Sequence, residues 1–216
     1  MPRRMVEDSL FAILMASGFS RRFGDENKLL VPFRGKPLAR YTLDIVLSMK
    51  VWERVFFVCA DDRVAALADE ATLAYKAAVT PAVIRNAAPE KGRRESVRLG
   101  VVAAPLRVPP AGNSYYAFFP CDQPFLDVAT VGRILDARRP GCIVEGRFQG
   151  KPGNPGVFSA FFRNELLTLR EGETPKHIKA RHPGRIIPVE LPWGLPLSDI
   201  DRREDMREPM VVMTGM

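Results

Sequence analysis

The chain has 216 residues and a formal charge of +7, with three cysteines and two histidines. That length suffices for one substantial core, and the ordinary apolar fraction excludes a disordered or fibrous chain. There is no run of about 18 apolar residues, so no membrane helix is encoded, and the opening "MPRRMVEDSL" has no apolar stretch of the kind a signal peptide needs. Cys59, Cys121 and Cys142 have no CxxC spacing, with only His177 and His182 to join them, which argues against a zinc site or disulfide framework and fits a reducing cytoplasm. A basic surface attracts nucleic acid or a small polyphosphate alike. Arg93-Arg94 and Arg202-Arg203 are paired, but no helix-turn-helix, zinc finger or aromatic RNA-binding signature accompanies them, so neither nucleic acid nor membrane is expected as a partner.

In chain order, "LFAILM" (Leu10 to Met15) is a continuous apolar run, as expected of a strand buried on both faces. "KPLARYTLDIVLSMK" repeats Leu38, Tyr41, Thr42, Ile45, Val46 and Met49 at helical spacing, with Pro37 in the first turn. "RVFFVCA" (Arg54 to Ala60) reads as a second strand, and Asp61 or Asp62 caps a helix through Lys76. "AVIRN" is a shorter strand, "RRESVRLGVVAA" a helix, "YYAFFPCD" a strand ending at Asp122, and "FLDVATVGRILDARR" another helix. "GCIVEG" is a strand, "GKPGNPGVFS" a loop running into a strand, and "FFRNELLTLREG" and "TPKHIKARHP" two helices, the second with Thr174 as cap. "RIIPVEL" and the acidic "LSDIDRRED" follow. Strand-helix-strand alternation implies an α/β domain with a mostly parallel sheet and helices on both faces. One domain over residues 1–216 is expected, with its core at about 10–206. Ligands of such sheets sit at the carboxyl ends of the strands, so the loops after Met15, Asn86, Pro120 and the last strand are the places to look.

The first of these loops, "SGFSRRFGDENKLL", lacks both GxGxxG and GxxxxGK[ST]. It is a glycine-containing turn whose amides can face an anion, with Arg22 and Lys28 to neutralise it. A surface turn with solvated charges is the alternative. In "FFPCDQPFL", Asp122 follows an apolar strand and can hold Mg²⁺, or simply cap the next turn. In "LSDID", Asp199 and Asp201 alternate along an extended stretch, so both can share one face and one can supply a second metal ligand; a plain helix cap is the alternative.

In order and spacing these features resemble the MobA-like nucleotidyltransferase family, and within it the molybdenum cofactor cytidylyltransferases. That family's first loop reads LAAGxSxRMG, then a lysine and two leucines; here stand Met15-Ala16-Ser17-Gly18, then Ser20, Arg22, Gly24 and Lys28-Leu29-Leu30. Asn86 to Val97 is similar to its Asn-(x)5-Gly-(x)3-Ser-Val element, "CDQPFL" to its DMP or DQP metal loop, "GNP" (Gly153 to Pro155) to its GHP, and "DIDRRED" to its DIDTPED. The resemblance implies a Rossmann-like nucleotidyltransferase that uses Mg²⁺ and joins a nucleotide's α-phosphate to an acceptor phosphate, releasing pyrophosphate. For the cytidylyltransferases the nucleotide is CTP and the acceptor is the terminal phosphate of molybdopterin. Carried over by motif position, Arg22, Lys28 and Asp122 are catalytic. Met15, Ala16, Ser17, Gly18, Arg22, Lys28, Asn86, Gly92 and Ser96 bind nucleotide, Asp122 and Asp201 hold the metal, and Asn154 faces the acceptor; Arg94, in the unusually basic Arg93-Arg94 pair, can grip the acceptor phosphate or simply mark an exposed helix start.

Departures from the pattern bear on specificity. Met15 and Ser17 stand where the family has Leu and Ala, and guanylyl-transferring relatives have Gly at Ser17, which leans towards a pyrimidine nucleotide. Asn154 replaces a His, and Arg202-Arg203 replace Thr-Pro. Cys121 reads as a small buried residue, not a nucleophile. The competing readings are a guanylyltransferase using GTP on the same cofactor, a cytidylyltransferase for another phosphorylated acceptor, since "RRESV" is also similar to an RQDSV-like segment, and a non-catalytic nucleotide-binding partner of molybdoenzyme assembly proteins. Lys28, Asp122 and Asp201 together argue against the last.

Overall fold

The computed structural model describes residues 8–18, 23, 26–76, 78–106 and 113–206. Nine strands and six helices are labelled here in chain order: β1 (Ser9–Ala16), β2 (Pro32–Phe33), β3 (Lys36–Pro37), α1 (Leu38–Ser48), β4 (Arg54–Cys59), α2 (Asp62–Tyr75), β5 (Ala82–Arg85) and α3 (Arg93–Ala103), then β6 (Ser114–Pro120), α4 (Val128–Asp136), β7 (Ile143–Phe148), β8 (Lys151–Ser159), α5 (Arg163–Leu167), α6 (Pro175–Arg181) and β9 (Ile186–Glu190). Seven strands form one sheet in the order β5-β4-β1-β6-β8-β7-β9. β1 lies parallel to both β4 and β6, while β8 runs antiparallel between β6 and β7. The sheet is therefore mostly parallel, as the strand-helix alternation implies.

The central strands are apolar at nearly every position after their first residue because helices cover both faces. Along β1, Leu10, Ala12 and Leu14 join a cluster with Leu43 and Val46 of α1, Leu67 of α2 and Ile134 of α4. Phe11 and Ile13 point the other way, into Val97 and Val101 of α3, Leu166 of α5 and Ile178 of α6. Period-two alternation thus feeds two cores at once. α3 sits very close to the sheet: a Cβ on Gly100 would lie 2.4 Å from Cγ2 of Ile13. Only a residue without a side chain allows that approach.

Several boundaries differ from the sequence reading. "GKPGNPGVFS" is strand almost throughout, because Lys151 onward pairs with Phe148 and then with β6. A two-stranded ribbon, β2 with β3, precedes α1 and makes Pro37 its N-cap instead of its first turn. The predicted helix from Phe161 is α-helical only over Arg163–Leu167. Asp61, rather than Asp62, caps α2, its carboxylate accepting from the Arg63 amide. No helix among the described residues is long and apolar enough to cross a membrane. The methionine-rich tail lies outside the described residues.

Candidate active site

The strand order reverses beside β1: β4 and β5 extend one way and β6 the other, which opens a crevice at the carboxyl ends of β1 and β6. A cavity of about 270 Å³ fills that crevice. Its walls come from the end of β1 (Met15, Ser17, Gly18), from Lys28, from the start of α3 (Gly92, Arg93, Ser96) and from the end of β6 at Asp122. Local chemistry holds each wall. Ser17 Oγ donates to the Val58 carbonyl at 3.1 Å, fastening the first loop residue to β4. Gly92 has φ +73° and ψ −160°, a conformation reserved for glycine, and it caps α3 without a side-chain bond. The N-terminal end of α3, with its Arg93, therefore stands on the cavity side.

Lys28 opens a short 3-10 turn, Lys28–Leu30, that Asn27 caps by accepting from the Leu29 amide. The other end of the Asn27 amide donates to Asp61 Oδ2 at 3.3 Å. Arg63, with Asn27, holds the Asp61 carboxyl down at about 2 against its partial burial. One carboxylate thus ties the start of α2 to the turn that carries Lys28.

The lysine Nζ donates to Asp122 Oδ2 at 2.8 Å and to the Ile200 carbonyl at 2.8 Å, and lies 3.6 Å from Asp201 Oδ1. Oxygens of Asp122, Asp199 and Asp201 lie within 4.8 Å of one another. Partial desolvation, and then the carboxylates of Asp122 and Asp201, push the Asp199 carboxyl above its ordinary value. Asp122 Oδ1 is buried and has no hydrogen-bond partner among the described residues. A divalent cation fits this donor set. The oxygens are hard, three carboxylates converge beside Lys28, and one buried oxygen has no partner among the described residues. Extended backbone puts Asp199 and Asp201 on one side, as alternation predicts, and Ile200 on the other, buried with Phe23, Phe33 and Leu38.

The structure thus brings Met15, Ser17, Gly18, Lys28, Gly92, Ser96 and Asp122 to one cavity, with Asp201 against Lys28. Other expected residues stand elsewhere. The Ala16 methyl is packed in the core on the α1 face. Asn86 is buried behind the wall, where its amide meets Ser96 Oγ at 3.4 Å and its Oδ1 accepts from the Ala88 amide. Arg94 Nε turns back to the Lys91 carbonyl, and the neighbouring Arg93 lines the cavity instead. Asn154 sits at the start of β8, and Arg22, Ser20 and Gly24 lie outside the described residues. Cys121 is 1% exposed, and burial pushes its thiol well above the ordinary value, with the charge of Asp122 adding to the effect. It is a neutral packing group. The sequence reading missed Asn27 and Gln123 and gave Asp61 only as a helix cap; their roles here depend on contacts between distant segments.

Cations and carboxylates gathered where the sheet order reverses mark an α/β enzyme that handles phosphates, and the chain is a nucleotidyltransferase. More narrowly, it belongs to the MobA-like NTP transferase domain family, which matches residues 12–186. It is 25% identical over 195 residues to the nicotine blue oxidoreductase of Paenarthrobacter nicotinovorans, covering 87% of this chain and 85% of that one. A nucleotidyl transferase from Methanothermobacter thermautotroptrophicus superposes with a TM-score of 0.72 at 22% identity, over 91% of this chain and 94% of the other. Rv0371c from Mycobacterium tuberculosis H37Rv, in complex with manganese, superposes with a TM-score of 0.56 at 22% identity, over 85% and 89%.

Proposed function

We propose that this chain is a single-domain, cytoplasmic enzyme that transfers CMP from CTP to the terminal phosphate of molybdopterin, with Mg²⁺ as the divalent ion. The observation that carries the reading is Lys28 in hydrogen-bond reach of Asp122 at the mouth of the cavity, with Asp199 and Asp201 converging on the same point. An oxygen of the acceptor phosphate attacks the α-phosphorus, the bond to the β-bridging oxygen breaks, and pyrophosphate leaves. Such a transfer asks a protein mainly to align two anions and offset their charge. In this reading Lys28 and Arg93 meet the triphosphate, helped by the N-terminal end of α3 and the amides of Ala16 to Gly18. Asp122 with Asp201 or Asp199 would hold the metal, which when bound offsets the charge of the reacting phosphates. Because an acceptor phosphate is already ionised near neutral pH, no side chain is needed to remove a proton. The Ser17 hydroxyl donates to Val58, so it would bias the base through bulk instead of a donated bond. The family resemblance in the first and third loops and the manganese complex of Rv0371c support the metal-dependent reading.

Pyrophosphate release with Mg²⁺ and molybdenum-loaded molybdopterin, offering CTP, GTP, ATP and UTP in parallel, tests it. Release with CTP alone is expected. Release with GTP instead would make the chain a guanylyltransferase on that acceptor, and silence with all four would overturn the acceptor.

A further inference from the structure

Gln123 follows the metal-loop aspartate and is 1% exposed. Its Nε2 donates to the Leu197 carbonyl at 3.0 Å and stands 3.5 Å from the Asn154 carbonyl. Two carbonyls facing one end of the amide fix its orientation, since turning it over would set oxygen against oxygen. The consequence is that Gln123 Oε1 is buried with no partner among the described residues. A buried acceptor without a donor is destabilising. For packing alone an apolar side chain of the same shape would serve better, so what the glutamine provides is its donor.

That donor reaches the segment that carries Asp199 and Asp201. The segment is held at Leu197 by the Gln123 amide, and at Ile200 by the Asp122 carbonyl, which accepts from the Ile200 amide at 2.9 Å, and by Lys28. Gln123 also reaches β8 at Asn154, so one buried amide joins three pieces of chain beside the carboxylates. We propose that Gln123 is a positioning residue: it fixes the Asp199–Asp201 segment against the Asp122 loop and thereby sets the affinity for the divalent ion. This rests on the metal-dependent reading above.

The test is Mn²⁺ titration followed by electron paramagnetic resonance, without nucleotide or acceptor, on the full chain and on Gln123→Met, Asp201→Asn and the double variant. Gln123→Met is expected to weaken Mn²⁺ binding by about tenfold, as loss of a group behind metal ligands does, with an unchanged melting temperature. Because both residues act through one segment, the double variant is expected to bind about as weakly as the weaker single variant. Mn²⁺ affinity of Gln123→Met within twofold of the unmodified chain, or losses that multiply in the double variant, would overturn the proposal. Absence of Mn²⁺ binding by the unmodified chain would instead overturn the metal-dependent reading itself. If Gln123→Met fails to fold, the side-chain amide signal of Gln123 in the unmodified protein decides. It is expected to shift on Mg²⁺ titration, and a signal that stays fixed to saturation refutes the idea.

Discussion

Asp122 and the Asp199–Asp201 pair offer oxygens to the same point from supports of opposite character. Asp122 stands two residues past Pro120, the last residue of β6, a strand buried at all seven positions between β1 and β8. Its side chain is 15% exposed, and its place is set by the whole sheet. Asp199 and Asp201 are exposed, belong to no strand, and are held through contacts that include the Ile200 side chain in its apolar pocket, the Ile200 amide and carbonyl, the Gln123 amide, and the Asp205 carboxylate, which accepts from the Asp201 amide at 2.8 Å. One donor is fixed by the core. The other two are held by local bonds that a modest displacement of the segment would break, and proteins draw their movable parts from such weakly held segments.

Removing the fixed donor should do the most damage. Asp122→Ala is expected to lower kcat by about 10³-fold, the scale of losing a group that acts on the transition state, with the melting temperature little changed because the side chain supports no core. Full activity in a pyrophosphate assay would show that the carboxylate is not a metal ligand. Lys28→Ala removes the cation from the same point and is expected to weaken triphosphate binding by about 10²-fold in a calorimetric titration, or about 2.7 kcal/mol; unchanged affinity would remove Lys28 from the phosphate site.

The hanging donors should tolerate more. Asp201→Asn is expected to raise the Mg²⁺ concentration needed for half-maximal rate about tenfold while sparing the maximal rate. Equal activity at low Mg²⁺ would transfer the role to Asp199. The smallest effect belongs to the turn that carries Lys28. Asp61→Ala removes the α2 cap and the Asn27 contact, and is expected to cost about 1 kcal/mol, read as a melting shift of about 2–4 °C. The carboxyl of Asp61 lies at about 2 in the fold against an ordinary 3.8, so its stabilisation is complete above the ordinary value. It fades as pH falls through about 2, and the acid-unfolding curves of Asp61→Ala and the unmodified chain should converge there.

The fold was legible where pattern is local. Leu10 to Met15 and Val55 to Ala60 are unbroken apolar runs, and both lie in central strands. "GKPGNPGVFS" was not legible, because glycine and proline argue against a strand until β6 and β7 are present on either side to pair with it. In the site, Lys28 and Asp122 were readable because each ends a motif beside a strand or turn, and the structure brings them to 2.8 Å across 94 residues of chain. The choice between Arg93 and Arg94 was not, since it depends on which way the first turn of a helix faces. Asn27 and Gln123, and the reach of Asp61 to Asn27, were invisible for a further reason: these partners lie 31 to 74 residues apart, and nothing in their neighbours in sequence announces the meeting.

The close seat of α3 on β1 has a use beyond packing. Gly100 lies eight residues from Gly92, about 12 Å along the helix axis at 1.5 Å per residue, so the gap between Gly100 and Ile13 gauges the width of the cavity from a distance. Buried Ile13 has no room to retreat, and a methyl added at position 100 would tilt the far end of the helix. An engineer seeking to admit a larger base would therefore begin with the bearing on which α3 rests, leaving every residue that touches the ligand as it is.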